Sequence, residues 1–410
     1  MDILVYSAYY QPEQVGPAIF LAELTADLVA AGHRVTVLTG FPNYPEGVIP
    51  APYRHKAFQR QRLSGVEVIR TYLYASPVRT LPRRVASFST FIASSLVGGA
   101  LSAPRVDVVY ATLPPLPLGV TAWMLARFKG ARLVVNLQDI HPEIAVAAGV
   151  LRGRRTIRFF EAMERWVYRH AARLVVISEG FRENLLAKGV PDSKIRVVPN
   201  WADPEFVRPE ARDDQLRAEW GCDNFALVYS GGLTYNSNLE PVIEAAAVLR
   251  REPFRFVIIG DGVRKATLEN AARARRLTNV TFLPFQPLDC YPKVLSTADM
   301  NLVTLSSAAA MASVPSKIYK TMASGRPVLA IAPASSEIAR LVKAAGCGFV
   351  VAPEQIDELV GVLRHAATHR EEIGEMGRRG RQYLEQHLAR RVLTGRIAGI
   401  LGEVAGDQRG

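Results

Sequence analysis

The sequence predicts an α/β protein with two doubly wound domains, each built on a parallel sheet with helices on both faces. Short, uniformly apolar runs alternate with helical patterns along the chain, and uniformly apolar strands are typical of sheets buried on both faces. The alternation stops at residues 199–209 (PNWADPEFVRP) and then restarts. Because 410 residues also exceed one ordinary core, we expect two domains joined by this Pro- and Asp-rich linker.

The first half contains a regular series of predicted strands and helices. A helix over 16–31 follows the first strand and ends at Gly32, a common helix stop. The predicted strands cover residues 3–6, 35–39, 66–71, 108–111, 132–137, 174–178 and 195–199. This is the βαβ pattern of a doubly wound sheet.

The second half repeats this architecture without repeating the sequence. Its predicted strands cover residues 226–230, 254–260, 280–283, 300–305, 328–331 and 349–351. Helical patterns lie between them, for example over 239–251, 263–277 and 317–324. From residue 355 to about residue 404 the pattern is helical throughout.

Residues 85–104 contain no charged side chain over 20 positions and follow Arg83 and Arg84. That length would suffice to span a bilayer. However, the segment carries several Ser and Thr hydroxyls and a Gly pair, and a membrane span here would interrupt a continuous sheet pattern. We therefore favour a helix that is buried in the first domain or that lies at a membrane interface beside basic residues.

The net charge of +12 implies anionic partners, such as an acidic membrane surface or phosphorylated substrates. The basic residues are scattered and no nucleic-acid motif is present, so nucleic acid is the weakest candidate. The three cysteines lie far apart without a CxxC motif, which predicts neither disulfides nor a zinc site. The N-terminus lacks the basic region of a signal peptide, so we expect a cytoplasmic protein.

Two loops of the first domain carry candidate chemistry, because ligands bind beyond the carboxyl ends of strands in such sheets. After the first strand, Gly16 opens a helix and would let the backbone approach a phosphate, although an ordinary Gly-Pro turn explains it equally well. After the fifth strand, Asp139, His141 and Glu143 share one loop. Such a group can bind hydroxyls and move protons, but its spacing matches no recognised metal site.

Two further loops follow strands of the second domain. Gly231 and Gly232 permit close backbone approach after residues 226–230. Asp261 and Gly262 belong to a Gly-Asp-Gly turn, which is only a fragment of the GxGxxG fingerprint. The absence of GxxxxGK[ST] and GxSxG disfavours P-loop and α/β-hydrolase chemistry.

The middle of residues 308–332 reads as a loop, a helix and a strand. Ser316 is a suitable N-cap and Gly325 stands where a helix stop belongs. A first-turn Lys317 beside free backbone N–H groups suits a phosphate. Spacing alone does not separate this interpretation from a solvated lysine.

Four stretches of the chain resemble the retaining glycosyltransferases of the GT4 family, over nearly the full length. They are YYQPE with Gly16 at 9–16, QDIHPE at 138–143, VVPNW at 197–201, and VPSK with MASGRPV at 314–328. The last stretch is the most specific. The similarity is greatest to the bacterial exopolysaccharide and O-antigen branch, which includes colanic-acid and fucosamine-transferase-like enzymes.

The resemblance implies a GT-B fold, in which two Rossmann-like domains face a cleft. Residues 1–199 would bind the acceptor, 200–385 would bind a nucleotide-sugar, and a helix within 386–410 would cross back to the first domain. The implied donor-phosphate contacts are Gly16, Gly231, Gly232, Ser316 and Lys317. The implied base and ribose contacts are Asp261, Gly262, Phe285 and Lys320, and the implied catalytic residues are Asp139, His141 and Glu143.

The chain departs from the family pattern at three positions. Many relatives carry a Glu-x7-Glu motif around the helix at 317–324, whereas alignment on MASGRPV places Ala312 and Lys320 at the two Glu positions. The residue that contacts the donor ribose is therefore left open. Many relatives also have a lysine after the Gly-rich turn, where this chain has Asn236. Lys317 would then be the main side-chain cation for the diphosphate.

The reaction implied by the resemblance releases a nucleoside diphosphate. Backbone N–H groups and Lys317 would stabilise the charge that develops on its β-phosphate, and the leaving phosphate itself could take the acceptor proton. We expect no metal or other cofactor, because helix N-termini and a lysine can take the place of a metal. Neither the base, UDP or GDP, nor the sugar follows from the sequence.

The expected acceptor is a lipid-linked saccharide at the cytoplasmic face of the inner membrane. We expect peripheral binding to that surface through Arg79, Arg83 and Arg84 and the apolar run that follows them. Two other functions stay open at this point. The chain could be a sugar-nucleotide epimerase of GT-B fold, or a non-catalytic subunit that binds nucleotide-sugar or lipid.

Overall fold

The computed structural model of the protein describes residues 1–13, 16–78, 80–147, 149–234, 237–307 and 314–406. The chain divides into two compact units. Unit 1 comprises Met1–Pro199 together with Leu393–Gly410, and unit 2 comprises Asn200–Val392.

Strands and helices alternate along unit 1. Its strands are β1 Asp2–Tyr6, β2 Arg34–Gly40, β3 Phe58–Leu63, β4 Val66–Thr71, β5 Val108–Leu113, β6 Arg132–Leu137, β7 Arg173–Val176 and β8 Ile195–Val197. Its helices up to Pro199 are α1 Gly16–Ala30, α2 Leu81–Ser102, α3 Pro117–Lys129, α4 Glu143–Ala147, α5 Arg154–His170 and α6 Glu179–Ala187.

Unit 2 repeats the alternation. Its strands are β9 Phe225–Ser230, β10 Phe254–Ile259, β11 Val280–Leu283, β12 Met300–Thr304, β13 Val328–Ile331 and β14 Gly348–Val351. Its helices are α7 Asp214–Trp220, α8 Glu240–Val248, α9 Lys265–Ala274, α10 Tyr291–Thr297, α11 Lys317–Ala323, α12 Glu337–Ala345, α13 Ile356–Thr368 and α14 Arg370–Tyr383. A π-helical turn, Leu384–Leu388, precedes α15 Arg390–Gly406, most of which belongs to unit 1.

In the described part of unit 1, eight strands form one sheet in the order β3-β4-β2-β1-β5-β6-β7-β8. All neighbours are parallel except β3, which runs antiparallel to β4. The sequence did not predict β3, because FQRQRL presents no apolar face, and polar strands of this kind are typical of sheet edges. The chain order reverses at β1, which pairs with both β2 and β5.

The described strands of unit 2 form a six-stranded, entirely parallel sheet in the order β11-β10-β9-β12-β13-β14. Here the order reverses at β9, which pairs with both β10 and β12. The predicted fold of two parallel α/β domains is confirmed. In each sheet the reversal marks a crevice at the carboxyl ends of the strands, which is where ligands bind in such folds.

Helix α2 packs against β2, β4 and α3 through one narrow stripe. Its buried residues are Phe91, Ser95 and Gly99, which repeat every four positions. The side chains of Val97 and Leu101 are 59% and 81% exposed. The expectation of a helix buried in the first domain is therefore wrong. By length and composition alone α2 could cross a membrane. In the chain, however, it connects β4 to β5, which belong to one sheet, and it contacts that sheet directly.

Candidate functional site

Lys317 begins α11, and its ammonium packs on Tyr229 near the end of β9. The Nζ atom donates a hydrogen bond to the Tyr229 hydroxyl and lies 3.8 Å from the ring centroid. That hydroxyl in turn donates to the Gly232 carbonyl oxygen at 2.8 Å. Within the described ranges no carboxylate pairs with Lys317. Burial without a counter-ion lowers the pKa of Lys317 to about 7. This environment differs from that of a solvated first-turn lysine, and a bound anion would supply the missing negative charge.

Two glycines hold the turns after β9 and β10 against this lysine. Gly231 has φ +149°, and a Cβ atom there would overlap the Lys317 side chain. Gly262 has φ +152°, and its Cβ atom would overlap the backbone of Leu233. Both φ values lie in a region of backbone conformation that residues other than glycine rarely adopt. The two turns are also joined, since Leu233 N donates to the Asp261 carbonyl oxygen at 2.8 Å.

Ser316 occupies the N-cap position of α11 but does not cap the helix. Its φ and ψ are −62° and −14°, and its side chain makes no capping hydrogen bond. The Ile318 N–H instead donates to the Pro315 carbonyl oxygen at 3.3 Å, so a turn already precedes the helix. The predicted capping role of Ser316 is therefore wrong. Because α11 has only seven residues and no side-chain cap, any anion site at this position would depend mainly on the Lys317 ammonium.

The proposed base and ribose contacts lie around the same edge of the unit 2 sheet. Asp261 follows β10 and accepts a hydrogen bond from Gly262 N at 2.7 Å through Oδ1. Phe285 follows the neighbouring strand β11 and is 57% exposed. Lys320 lies in α11, with Nζ 5.2 Å from the Tyr291 ring centroid. Sequence reasoning did not single out Tyr229, because a tyrosine inside an apolar strand is more often part of the core. It did not single out Tyr291 either, which stands in no motif that points to a ligand. Asn236 and Ala312 lie outside the described residues.

In unit 1, the loop after β6 carries His141. The pKa of His141 is lowered to about 4, chiefly by burial; the nearby Glu143 carboxylate opposes this shift, and the positive charge of Arg84 adds to it. The imidazole is therefore neutral near pH 7. A neutral imidazole with so low a pKa suits hydrogen bonding to a hydroxyl better than accepting its proton. Asp139 is half-buried in the same loop.

Glu143 begins α4 and forms an ion pair with Lys188 at the end of α6. Lys188 Nζ also lies 2.6 Å from Glu164 Oε1 in α5. The fully buried Glu164 additionally accepts a hydrogen bond from Tyr168 at 2.8 Å, and burial raises the pKa of its carboxyl group. Two carboxylates thus share one ammonium. The catalytic role of Glu143 stays a prediction, and it would require Oε2, which is buried without a hydrogen-bond partner in the described structure.

The other predicted positions in unit 1 are Gly16 and the basic residues before α2. Gly16 begins α1, and apart from its chain neighbours and its own helix backbone no atom of the described residues lies within 4 Å of a Cβ atom built on it. The neighbouring protein therefore does not require glycine there, whereas a closely approaching ligand would. Arg83 and Arg84 are exposed in the first turn of α2. Arg79 lies outside the described residues.

Both halves of the chain match known glycosyltransferase families. Residues 15–201 match the glycosyl transferase 4-like domain, and residues 213–383 match the glycosyl transferases group 1 domain. WcaI of Escherichia coli (strain K12), named for a glycosyl transferase of colanic acid biosynthesis, is 32% identical over 379 residues. That alignment covers 89% of this chain and 92% of WcaI.

Solved structures show the same architecture. Sucrose-phosphate synthase from Thermosynechococcus elongatus is similar with a TM-score of 0.77 at 16% identity, over 99% of both chains. The Anabaena protein HepE in complex with UDP-glucose gives a TM-score of 0.72 at 16% identity, over 98% of this chain and 100% of HepE. The two parallel α/β units and these matches define a glycosyltransferase of the GT-B fold. The chain belongs to the GT4 family, with a transferase 4-like domain followed by a group 1 domain.

Proposed function

We propose that this glycosyltransferase moves a sugar, with retention, from a nucleoside diphosphate sugar to a lipid-linked saccharide in cell-surface polysaccharide biosynthesis. The observation that carries the proposal is the Lys317 ammonium, packed on Tyr229 at the crevice of unit 2 without a carboxylate partner in the described residues. The name of WcaI supports polysaccharide biosynthesis. The HepE complex supports a nucleotide-sugar donor.

The proposed reaction breaks the bond between the sugar C1 and the β-phosphate oxygen and forms a bond from C1 to the acceptor oxygen. The acceptor proton passes to the leaving phosphate. Lys317 stabilises the negative charge on that phosphate most strongly when the bond breaks, which is when stabilisation accelerates the reaction. His141, being neutral, hydrogen-bonds a sugar hydroxyl. Since Lys317 supplies the positive charge, we expect turnover to survive chelation of divalent metals.

Mass spectrometry of reactions with nucleotide-sugars and a lipid-linked acceptor tests this function. A new lipid product that is heavier by one sugar residue supports transfer. An altered sugar nucleotide with no lipid product would indicate an epimerase instead. The absence of either product, with intact nucleotide binding, would indicate a non-catalytic binding subunit.

We also propose that the protein binds peripherally at the cytoplasmic face of the membrane. The support is the exposed apolar side of α2 beside basic residues on a chain of net charge +12. Phe128 of helix α3, which packs against α2, is 68% exposed. Such a surface binds anionic lipid through both charge and apolar contact.

Sedimentation with vesicles tests the membrane proposal. We expect the protein to pellet with vesicles rich in anionic lipid at low salt and to return partly to the supernatant at high salt, because salt screens exposed charges. Replacing Val97 and Leu101 together by Ser should weaken binding at both salt concentrations. Protein that stays in the supernatant with anionic vesicles at low salt would contradict peripheral binding.

A further inference from the structure

A cavity of about 240 Å³ opens beside the first turns of α2, and we call it the α2 cavity. Its walls come from the segments that follow β1, β2 and β4, together with α2 itself. These strands are parallel neighbours, so their carboxyl ends meet at one edge of the sheet. The cavity is therefore in the part of unit 1 where a ligand is expected, and its size suits a small polar group.

The lining of the α2 cavity combines aromatic and cationic side chains. Tyr9 and Tyr44 contact each other edge to face, with ring centroids 6.2 Å apart. Arg83 and Arg84 supply the positive charge. Aromatic rings offer a flat apolar surface to a sugar ring, and one guanidinium group can bind two phosphate oxygens at once.

The two arginines carry positive charge that the described residues do not neutralise. Arg83 donates from Nη1 to the neutral Ser76 hydroxyl at 3.1 Å. The Arg84 guanidinium makes no hydrogen bond or ion pair within the described ranges. Glu13 is joined to the lining through hydrogen bonds from Asn43 N and Tyr44 N, both at 3.0 Å. Burial raises the pKa of Glu13, whose Oε1 atom is occupied by these two backbone amides.

The cationic end of the cavity lies near the loop predicted to carry the chemistry. Arg84 is close enough to His141 for its charge to lower the imidazole pKa. Both the cavity and His141 follow the carboxyl ends of strands in the same sheet. A group bound between the tyrosines and the arginines would thus be near His141.

The apolar side of α2 continues outward from the arginines. Leu81 and Val85 are exposed on either side of Arg83 and Arg84 in sequence, and Val97 and Leu101 are exposed further along the helix. A molecule with a polar head group, an anionic linkage and an apolar tail matches the order of the tyrosines, the arginines and the exposed side of α2. Neither a free sugar nor a simple anion would use all three surfaces.

We propose that the α2 cavity selects acceptors whose saccharide is joined to the lipid through a phosphate or diphosphate. The saccharide lies against Tyr9 and Tyr44, the phosphate groups bind Arg83 and Arg84, and the lipid chain lies on the exposed side of α2. This proposal rests on the proposed transfer to a lipid-linked saccharide. It assigns Arg83 and Arg84 to the acceptor, beyond any general attraction to a membrane surface.

The test compares two acceptors that differ only in the linkage between saccharide and lipid, which is a diphosphate in one and a neutral ether in the other. In neutral detergent micelles, the double variant Arg83→Gln/Arg84→Gln should lower the ratio of the two kcat/KM values, diphosphate over ether, by roughly a hundredfold. Each lost charge-assisted contact corresponds to about tenfold. The matched control Arg105→Gln/Arg127→Gln removes two exposed arginines of unit 1 outside the cavity and should leave the ratio unchanged.

Several outcomes would overturn the proposal. An unchanged ratio of kcat/KM values in Arg83→Gln/Arg84→Gln would mean that the arginines do not recognise the diphosphate linkage. An equal loss in the control would mean that net charge matters and not the cavity.

If the wild type transfers to neither acceptor, the proposed function fails, and the cavity is then tested by direct binding of the diphosphate lipid in the same micelles. There the wild type should bind at least tenfold more tightly than Arg83→Gln/Arg84→Gln, and equal binding would reject the site. If this variant binds the diphosphate lipid normally and binds only anionic vesicles more weakly, the arginines recognise a membrane headgroup and the acceptor proposal fails.

Discussion

At the scale of single residues, Lys317 links donor binding to protonation. Its folded-state pKa of about 7 lies below the ordinary value of 10.5. Between these pH values the ligand-free folded chain binds fewer protons than the unfolded chain. The destabilising contribution of Lys317 is therefore complete below pH 7 and fades as the pH rises toward 10.5. A bound phosphate raises the pKa of Lys317 again, because the opposite charge favours the ammonium.

We therefore predict that binding of a nucleoside diphosphate at pH 8 takes up about one proton. The phosphate itself is fully ionised at this pH, since its second pKa is about 6, so the proton goes to Lys317. Calorimetric titrations in buffers of different ionisation enthalpy measure this uptake. It should disappear in Lys317→Met, and buffer-independent heats for the wild type would show that the lysine is already charged without ligand.

The sequence identified part of the candidate site at this scale. Lys317, Gly231 and Gly262 could be proposed because a lysine at a helix start and glycines after strands suit a phosphate, although a solvated lysine and ordinary turns produce the same pattern. Tyr229 could not be proposed, since it stands in an apolar strand 88 positions before the lysine that it contacts. The shared Lys188 of the ion-pair network was equally hidden, because it ends a helix that shows no unusual pattern.

At the scale of elements, the Lys188 network joins three helices of unit 1. Glu143 belongs to α4 and Glu164 to α5, while Lys188 follows α6. Since Glu143 is two residues after His141, the network fixes the end of the loop that carries the imidazole. We interpret Lys188 as a positioning residue, because its ammonium is occupied by the two carboxylates.

Lys188→Met should destabilise unit 1 by about 3–5 kcal/mol, because it leaves the buried Glu164 carboxylate without a cationic partner, with only its hydrogen bond from Tyr168. Chemical denaturation measures the loss. Adding Glu164→Gln to this variant should recover part of the stability, since the amide removes the unpaired charge. A wild-type free energy of unfolding in Lys188→Met would mean that water already solvates these carboxylates.

The elements themselves were largely predictable, and the exceptions have physical causes. Long apolar strands such as β6 and β13 follow directly from their hydrophobic runs, and the predicted bounds 132–137 and 328–331 are those of the structure. The polar edge strand β3 carries no such run and was missed. The exposure of α2 could not be predicted, because composition shows that a helix is apolar but not which of its sides has a partner.

At the scale of the whole molecule, each unit places one set of chemical groups at the carboxyl edge of its own sheet. Unit 2 presents a lysine between glycine turns, and unit 1 presents a neutral imidazole and the α2 cavity. This division fits a transferase that binds a charged donor and a separate acceptor. It depends on Lys317 holding the diphosphate of the donor, which is the central claim.

Calorimetric titration of nucleoside diphosphate into the wild type and into Lys317→Ala tests that claim most directly. A charge-assisted contact contributes about 1.5–3 kcal/mol, so Lys317→Ala should bind the diphosphate roughly ten- to a hundredfold more weakly. It should bind the monophosphate with a smaller loss, because the contact is to the β-phosphate. Lys343→Ala, on the exposed surface of α12, is the matched control and should bind normally. An unchanged diphosphate affinity in well-folded Lys317→Ala would contradict the donor site proposed for unit 2.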